Sequence, residues 1–230
     1  MKALILAAGL GTRLKPITDT RPKALAETEG KTLLEHALCH LKSNGILEAI
    51  INVHHFPGMI IDFLKDHDNF GMEITISDET GELLETGGAL KKVSWYFNDG
   101  LPFLVRNVDI LSDLDLSAMA ESHHAAKALA TLAVRNRVTS RYFLFDGQMW
   151  LSGWENQGTG VRKITRHSGI LSPLAFSGIQ MVNPAVFPLI TESGKFSLTS
   201  LYLRLSEHYL ISGYLEMNSY WHDAGKNLDA

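Results

Sequence analysis

The chain has 230 residues, 45% of them hydrophobic, which suits one α/β domain with a substantial core. Charged residues make up 20% and the formal net charge is −4, so there is no electrostatic case for nucleic acid as the main partner. The single cysteine, Cys39, excludes an intrachain disulfide, and no apolar run approaches membrane-spanning length; no membrane partner is expected, and the cytoplasm is the expected location.

The first predicted element is a buried strand over residues 3–6, close enough to Met1 to leave no room for a signal peptide. It runs out through Leu6, Ala7 and Ala8 into Gly9, Leu10, Gly11, Thr12, Arg13 and Leu14, with Pro22-Lys23-Ala24-Leu25 following. Glycines let backbone amides approach an anion closely and permit the turn that aims those amides. Arg13 and Lys23 can bring two positive charges to the same place. Such a loop can hold a triphosphate, although Gly9 and Gly11 alone would equally suit a plain strand-to-loop turn. It is not a Walker P-loop, because no Gly-Lys-Ser/Thr closes it, and the dinucleotide fingerprint is incomplete.

Thr32-Leu33-Leu34-Glu35 is a capping box. Leu33, Leu34, Ala37, Leu38 and Leu41 then recur at helical spacing, and Gly45 supplies a C-terminal stop. A strand over 49–53 leads to a helix marked by Met59, Ile60, Phe63 and Leu64, after Pro57-Gly58. The adjacent His54 and His55 suggest a metal pair, but neighbouring strand residues point to opposite sides, so one ion is not expected to take both. Asn52 lies beside them, near any nucleotide. Next come a strand over 73–77, a helix over 87–95 behind Glu85-Thr86-Gly87-Gly88-Ala89, and a buried strand over 103–106 ending at Asn107-Val108-Asp109. A helix over 116–126 and a strand over 129–135 follow. This alternation predicts a doubly wound, mostly parallel sheet. Residues 136–172 carry short strand-like runs between glycines and read as a small antiparallel, lid-like, sugar-binding insertion in a single domain spanning 1–230. A strand over 176–182, a helix over 196–208 and a strand over 214–217 precede Trp221-His222-Asp223-Ala224-Gly225.

Asp109 follows an apolar strand at the point where open α/β sheets place ligands. Mg²⁺ takes oxygen ligands, typically one or two carboxylates plus substrate phosphates, so Asp109 is a candidate ligand; a solvated loop Asp, with Asp113 and Asp115 close behind, is the alternative.

The string from Leu6 to Leu14 with Pro22-Lys23-Ala24-Leu25 resembles the signature of the nucleoside triphosphate:sugar-1-phosphate nucleotidyltransferases, and the resemblance runs from Met1 to Gly225. It implies an enzyme with a Rossmann-like, GT-A-like fold and Mg²⁺ as cofactor. The substrates would be an NTP and a sugar-1-phosphate, the products an NDP-sugar and pyrophosphate. It assigns Arg13, Lys23 and Asp109 to catalysis. Leu6, Ala7, Ala8, Gly9, Gly11, Thr12, Arg13, Lys23, Ser77, Thr86 and Gly87 would bind nucleotide. Asn107, Glu155 and Gly178 would face the sugar, with Gly178 leaving room for the hexose. Asp109, together with Asp223 in the late Trp-x-Asp-x-Gly element, would hold the metal. Many members have Gly before the first Asp; here it is Val108, which leaves the ligand in place and changes the loop path. The Glu-Lys-Pro element that puts a lysine on the sugar phosphate in some relatives is missing, leaving Arg141 and Arg162 as candidates. Leu84-Glu85-Thr86-Gly87-Gly88 and the length resemble the compact uridylyltransferases acting on N-acetylmuramate-1-phosphate. Mannose-1-phosphate guanylyltransferase is the rival. A cytidylyltransferase for a non-sugar phosphate, with Tyr142, Trp150 and Trp154 as a cation cage, and a non-catalytic regulatory subunit that binds nucleotide-sugars also stay open. The oligomeric state is not legible.

Overall fold

A computed structural model of the protein describes residues 1–166 and 169–225. β1 (Lys2–Leu6) buries both of its sides: Ala3 and Ile5 enter one apolar cluster and Leu4 enters another. A strand buried on both faces needs helices above and below it.

After β1 come three short 3₁₀ turns, a small hairpin of β2 (Glu27–Thr28) and β3 (Lys31–Thr32), and α1 (Leu33–Ser43). Thr32 caps α1 by accepting from the Glu35 amide at 3.1 Å, as the capping box predicts. The first half continues with β4 (Glu48–Val53), α2 (Pro57–Asp66), β5 (Glu73–Asp78), α3 (Glu85–Lys92) and β6 (Phe103–Asn107). Then follow β7 (Ile110–Ser112), α4 (Leu116–Ala126), β8 (Ala130–Arg135), β9 (Arg141–Phe145), β10 (Leu151–Asn156), β11 (Val161–Ile164) and the long β12 (Ser172–Val182). The chain ends in α5 (Leu198–Leu205), β13 (Ile211–Leu215) and β14 (Trp221–Asp223).

β6, β1, β4 and β5 lie side by side and parallel. β12 runs antiparallel to β6 and carries β8, to which β13 adds in parallel. The apolar faces of α1, α2 and α4 pack into one core cluster, those of α3 and α5 into the other. The result is the doubly wound α/β architecture with a mixed, mostly parallel central sheet. The hairpins of β9, β10 and β11 join the same ten-stranded sheet through β12, so these strands extend the sheet edge-on.

Several boundaries differ from the sequence reading. α3 starts at Glu85, not 87, and a separate 3₁₀ turn, Ser94–Tyr96, replaces its last turn. α5 is shorter than 196–208, and β13 lies three residues earlier than 214–217. β7 and β14 have three residues each, too few for alternation to register in sequence. Among the described residues no helix is long and apolar enough to cross a membrane.

Candidate active site

A cleft of about 380 Å³ opens at the carboxyl ends of β1, β4 and β6. One wall is Leu6, Ala8 and Gly9, the exit from β1; the floor is Asn52, Asn107, Val108 and Asp109; Lys23 closes one side. Leu83, Glu85, Thr86 and Ser197 form the opposite wall. Parallel strands present their carboxyl ends, and the loops that follow them, to a shared crevice, so residues distant in sequence converge there.

Lys23 forms an ion pair with Asp109, both side chains only about a tenth exposed. Asp109 is positioned from two directions. β6 delivers it from below, and its carbonyl accepts the Ala224 amide at 3.0 Å. β14 pairs antiparallel with β7, setting Asp223 opposite Ile110, one residue beyond Asp109. The ladder thus brings the backbone around Asp223 alongside the Asp109 loop from the opposite end of the chain; Asp109 lines the cleft, and Asp223 is not among its lining residues. Gly225 follows immediately: a Cβ there would fall on the Asp109 carboxylate and lie 2.6 Å from Lys23 Nζ. Asp109, with Lys23 beside it, faces the cleft, and a carboxylate there suits a hard divalent cation completed by phosphate oxygens; Asp223 on the neighbouring strand is the second candidate ligand. Among the described residues there is no group of three or more His, Cys, Asp or Glu that could hold a metal, so the remaining ligands would have to come from substrate and water.

Asn52, expected near the nucleotide, is part of a support completed by Glu79, and a second support lies at Arg106; neither Glu79 nor Arg106 was marked by the sequence. Asn52 Oδ1 accepts the amides of Ala7 and Ala8 at 2.7 and 3.3 Å, so these two amides brace the loop and those after Ala8 remain for an anion. Asn52 in turn donates to Glu79 Oε1 at 2.8 Å, and the Leu84 amide donates to Glu79 Oε2. Glu79 is thus buried and ties β4 to the opposite wall. Below the Asp109 loop lies Arg106, fully buried, which donates to the carbonyls of Ala37 and Ile110 and to His40 Nδ1. His40 Nε2 donates to the Leu114 carbonyl, which fixes Nδ1 as the acceptor for Arg106. Burial, then the Arg106 charge, lowers the His40 pKa to about 4, so the ring is neutral at pH 7. Burial lowers the Arg106 pKa to about 10, against the pull of Asp109, and the guanidinium keeps its charge. A strand-interior arginine and a helix-face histidine carried no motif to mark them.

Other predicted residues sit elsewhere. Gly11 and Thr12 lie beside Gly9 on the loop, but Arg13 is exposed and lines a second cleft of about 530 Å³ instead of facing Lys23. Ser77 is buried in β5 opposite Asn52 and is not among the cleft-lining residues. Thr86 does line the cleft, yet its hydroxyl accepts the Leu198 amide at 2.9 Å. Gly87 is not among the cleft-lining residues: its missing side chain makes room for Phe196, whose carbonyl accepts the Gly87 amide at 2.9 Å. Asn107 is in place. Gly178, at φ +82, sits on a bulge of β12 where a Cβ would lie 2.6 Å from Ile110 Cγ1, so the packing of the β7 loop already demands glycine there. Glu155 interacts with Gln157 and Arg162, while its neighbour Trp154 lines the second cleft. Glu155 itself is not among the residues lining either cleft. Arg162 is paired with it, and Arg141 lines the second cleft.

The sequence profile of the nucleotidyl transferase family matches residues 2–144, and the chain belongs to that family. It is an enzyme of the nucleotidyltransferase class. It is 31% identical to an N-acetylmuramate alpha-1-phosphate uridylyltransferase of Caulobacter vibrioides, over 92% of this chain and 86% of that one. It is 33% identical to a mannose-1-phosphate guanyltransferase of Yarrowia lipolytica, over 100% of this chain but 62% of that one. In fold it is similar to an inositol-1-phosphate CTP transferase from T. maritima, with a TM-score of 0.77 at 16% identity over 98% of this chain and 89% of that one.

Proposed function

We propose that the protein transfers the uridylyl group of UTP to a hexose-1-phosphate bearing an N-acetyl or other bulky substituent, of the N-acetylmuramate-1-phosphate type. The observation that carries the transferase reading is the Lys23–Asp109 pair lining the cleft at the open end of the glycine loop, with the Asp223 strand laid against the Asp109 loop. An oxygen of the sugar phosphate attacks the α-phosphorus in line. The bond from that phosphorus to the bridging oxygen breaks, and pyrophosphate leaves. No protein nucleophile is required, so the residues act by positioning and by neutralising charge. The amides from Gly9 onward bind phosphate oxygens. Lys23 bridges the α-phosphate and the incoming phosphate, and Arg13 swings over the departing pyrophosphate. Asp109 and Asp223 would hold Mg²⁺, which supplies positive charge to the phosphate oxygens. Asn107, at the floor beside Gly178, meets the acceptor.

The uridylyl preference rests on relatives. The chain spans most of the length of the Caulobacter uridylyltransferase and a smaller share of the Yarrowia guanyltransferase. The cation cage finds no support, since Trp154 and Tyr142 share their cleft with three arginines, the wrong charge for a quaternary ammonium. Pairing Lys23 with Asp109 in the cleft beside the glycine loop argues for catalysis over a purely regulatory role. The deciding experiment is pyrophosphate release from each of four nucleoside triphosphates with several sugar-1-phosphates and Mg²⁺. A preference for GTP with mannose-1-phosphate would overturn the uridylyl reading and leave the transferase reading standing; no release with any pair would overturn both.

A further inference from the structure

The second cleft has a composition the transfer reaction does not explain. Arg13, Arg137 and Arg141 line it together with Tyr142, Trp154 and Phe176, and among the described residues lining it there is no acid. Arg13 belongs to the phosphate loop, so the cleft opens directly beside the place where phosphoryl transfer would occur. The other two arginines come from the sheet extension. Arg141 starts β9 and is exposed, and among the described residues its side chain has no hydrogen-bond or ion-pair partner. Arg137 is held rigidly: it donates to the Phe176 carbonyl at 3.1 Å and lies over the Trp221 ring, 4.4 Å from its centroid. Its Nε is buried without a partner. Asp223 also acts on Arg137, and burial holds its pKa below the usual arginine range.

A neutral hexose offers hydroxyls, and hydroxyls do not need a cluster of guanidinium groups beside aromatic rings. A fixed guanidinium with spare donors matches a carboxylate, which it can bind through two parallel hydrogen bonds. The aromatic side chains supply the apolar wall against which a sugar ring or its substituent packs. We infer that this cleft is the subsite for the acceptor's substituent, and that Arg137 and Arg141 hold a carboxylate carried on the sugar. The inference rests on the transferase reading and narrows its substrate class to acidic hexose-1-phosphates.

The test compares N-acetylmuramate 1-phosphate with N-acetylglucosamine 1-phosphate, which lacks the lactyl ether and its carboxylate, at saturating UTP. The ratio of kcat/KM, acid over neutral, should exceed about 10 in the wild type and collapse towards one in Arg141→Gln and in Arg137→Gln, as a lost charge-assisted hydrogen bond predicts. Arg141→Lys should restore only part of the ratio, because an ammonium lacks the planar fork. A wild-type ratio near one overturns the inference. So does a variant that raises the KM for UTP while leaving the ratio intact, since the arginines would then serve the triphosphate. If no pair of substrates turns over, the transferase reading fails, and calorimetric binding of the two sugar phosphates still decides the inference: equal affinities overturn it.

Discussion

Gly225→Ala isolates the role of tertiary packing in the candidate site. The new methyl would sit on the Asp109 carboxylate and 2.6 Å from Lys23 Nζ, where ordinary contacts between heavy atoms need about 3.5–4.0 Å. Relief requires a shift of about 1 Å. The backbone cannot easily supply it, because the Ala224 amide is bonded to the Asp109 carbonyl and β14 is paired with β7. The side chains must move instead, and the pair that moves is the one proposed to meet the α-phosphate. A displacement of about 1 Å at reacting groups costs about 100-fold in rate. The accompanying loss of stability from one extra methyl should stay near 1–3 kcal/mol, roughly the cost of overpacking. Steady-state pyrophosphate release at saturating substrates measures the first quantity and a thermal melt the second. A variant that melts cooperatively and retains kcat within about three-fold would refute the argument that Gly225 sets the Lys23–Asp109 geometry.

Arg13→Ala and Lys23→Ala should each lower kcat by about 10²–10³, the usual cost of a charge contact made in the transition state. Exposed Arg13 should leave the melting temperature nearly unchanged, whereas Lys23→Ala strands the buried Asp109 carboxylate and should lower it; normal turnover in both would remove their assignment. A chelator should abolish activity and Mg²⁺ should restore it, with Asp109→Asn weakening the metal dependence more than Asp113→Asn, because exposed Asp113 accepts the Tyr220 amide away from the cleft. If Asp113→Asn proves the more damaging, the metal assignment moves along the loop. Acidification should destabilise the fold between pH 6.5 and 4. Burial lowers the pKa of both His40 and His123 to about 4, so the folded protein keeps them neutral while the unfolded chain protonates them. Stability then falls by up to about 1.4 kcal/mol per pH unit for each histidine, and a melting temperature flat from pH 7 to 5 would contradict this.

The sequence by itself determined the elements whose information is local. The capping box at Thr32, the helical stripe behind it, the apolar run before Gly9 and the one before Asp109 each report burial through periodicity, and each lies where that periodicity puts it. The glycine loop and Lys23 were legible for the same reason, because a short motif carries its own backbone chemistry. What only the tertiary structure decided is everything that depends on a distant partner. The Asp223 strand is laid against the Asp109 loop by the β7–β14 ladder, two three-residue strands held by pairing across more than a hundred residues. Gly87 is glycine because Phe196 packs on it, Gly178 because Ile110 does, and Gly225 because the Lys23–Asp109 pair lies against it. Glu79 and Arg106 are buried charges whose partners come from other elements. Close packing leaves room for one side chain at each such place, and which one fits is set by a neighbour the local sequence does not contain.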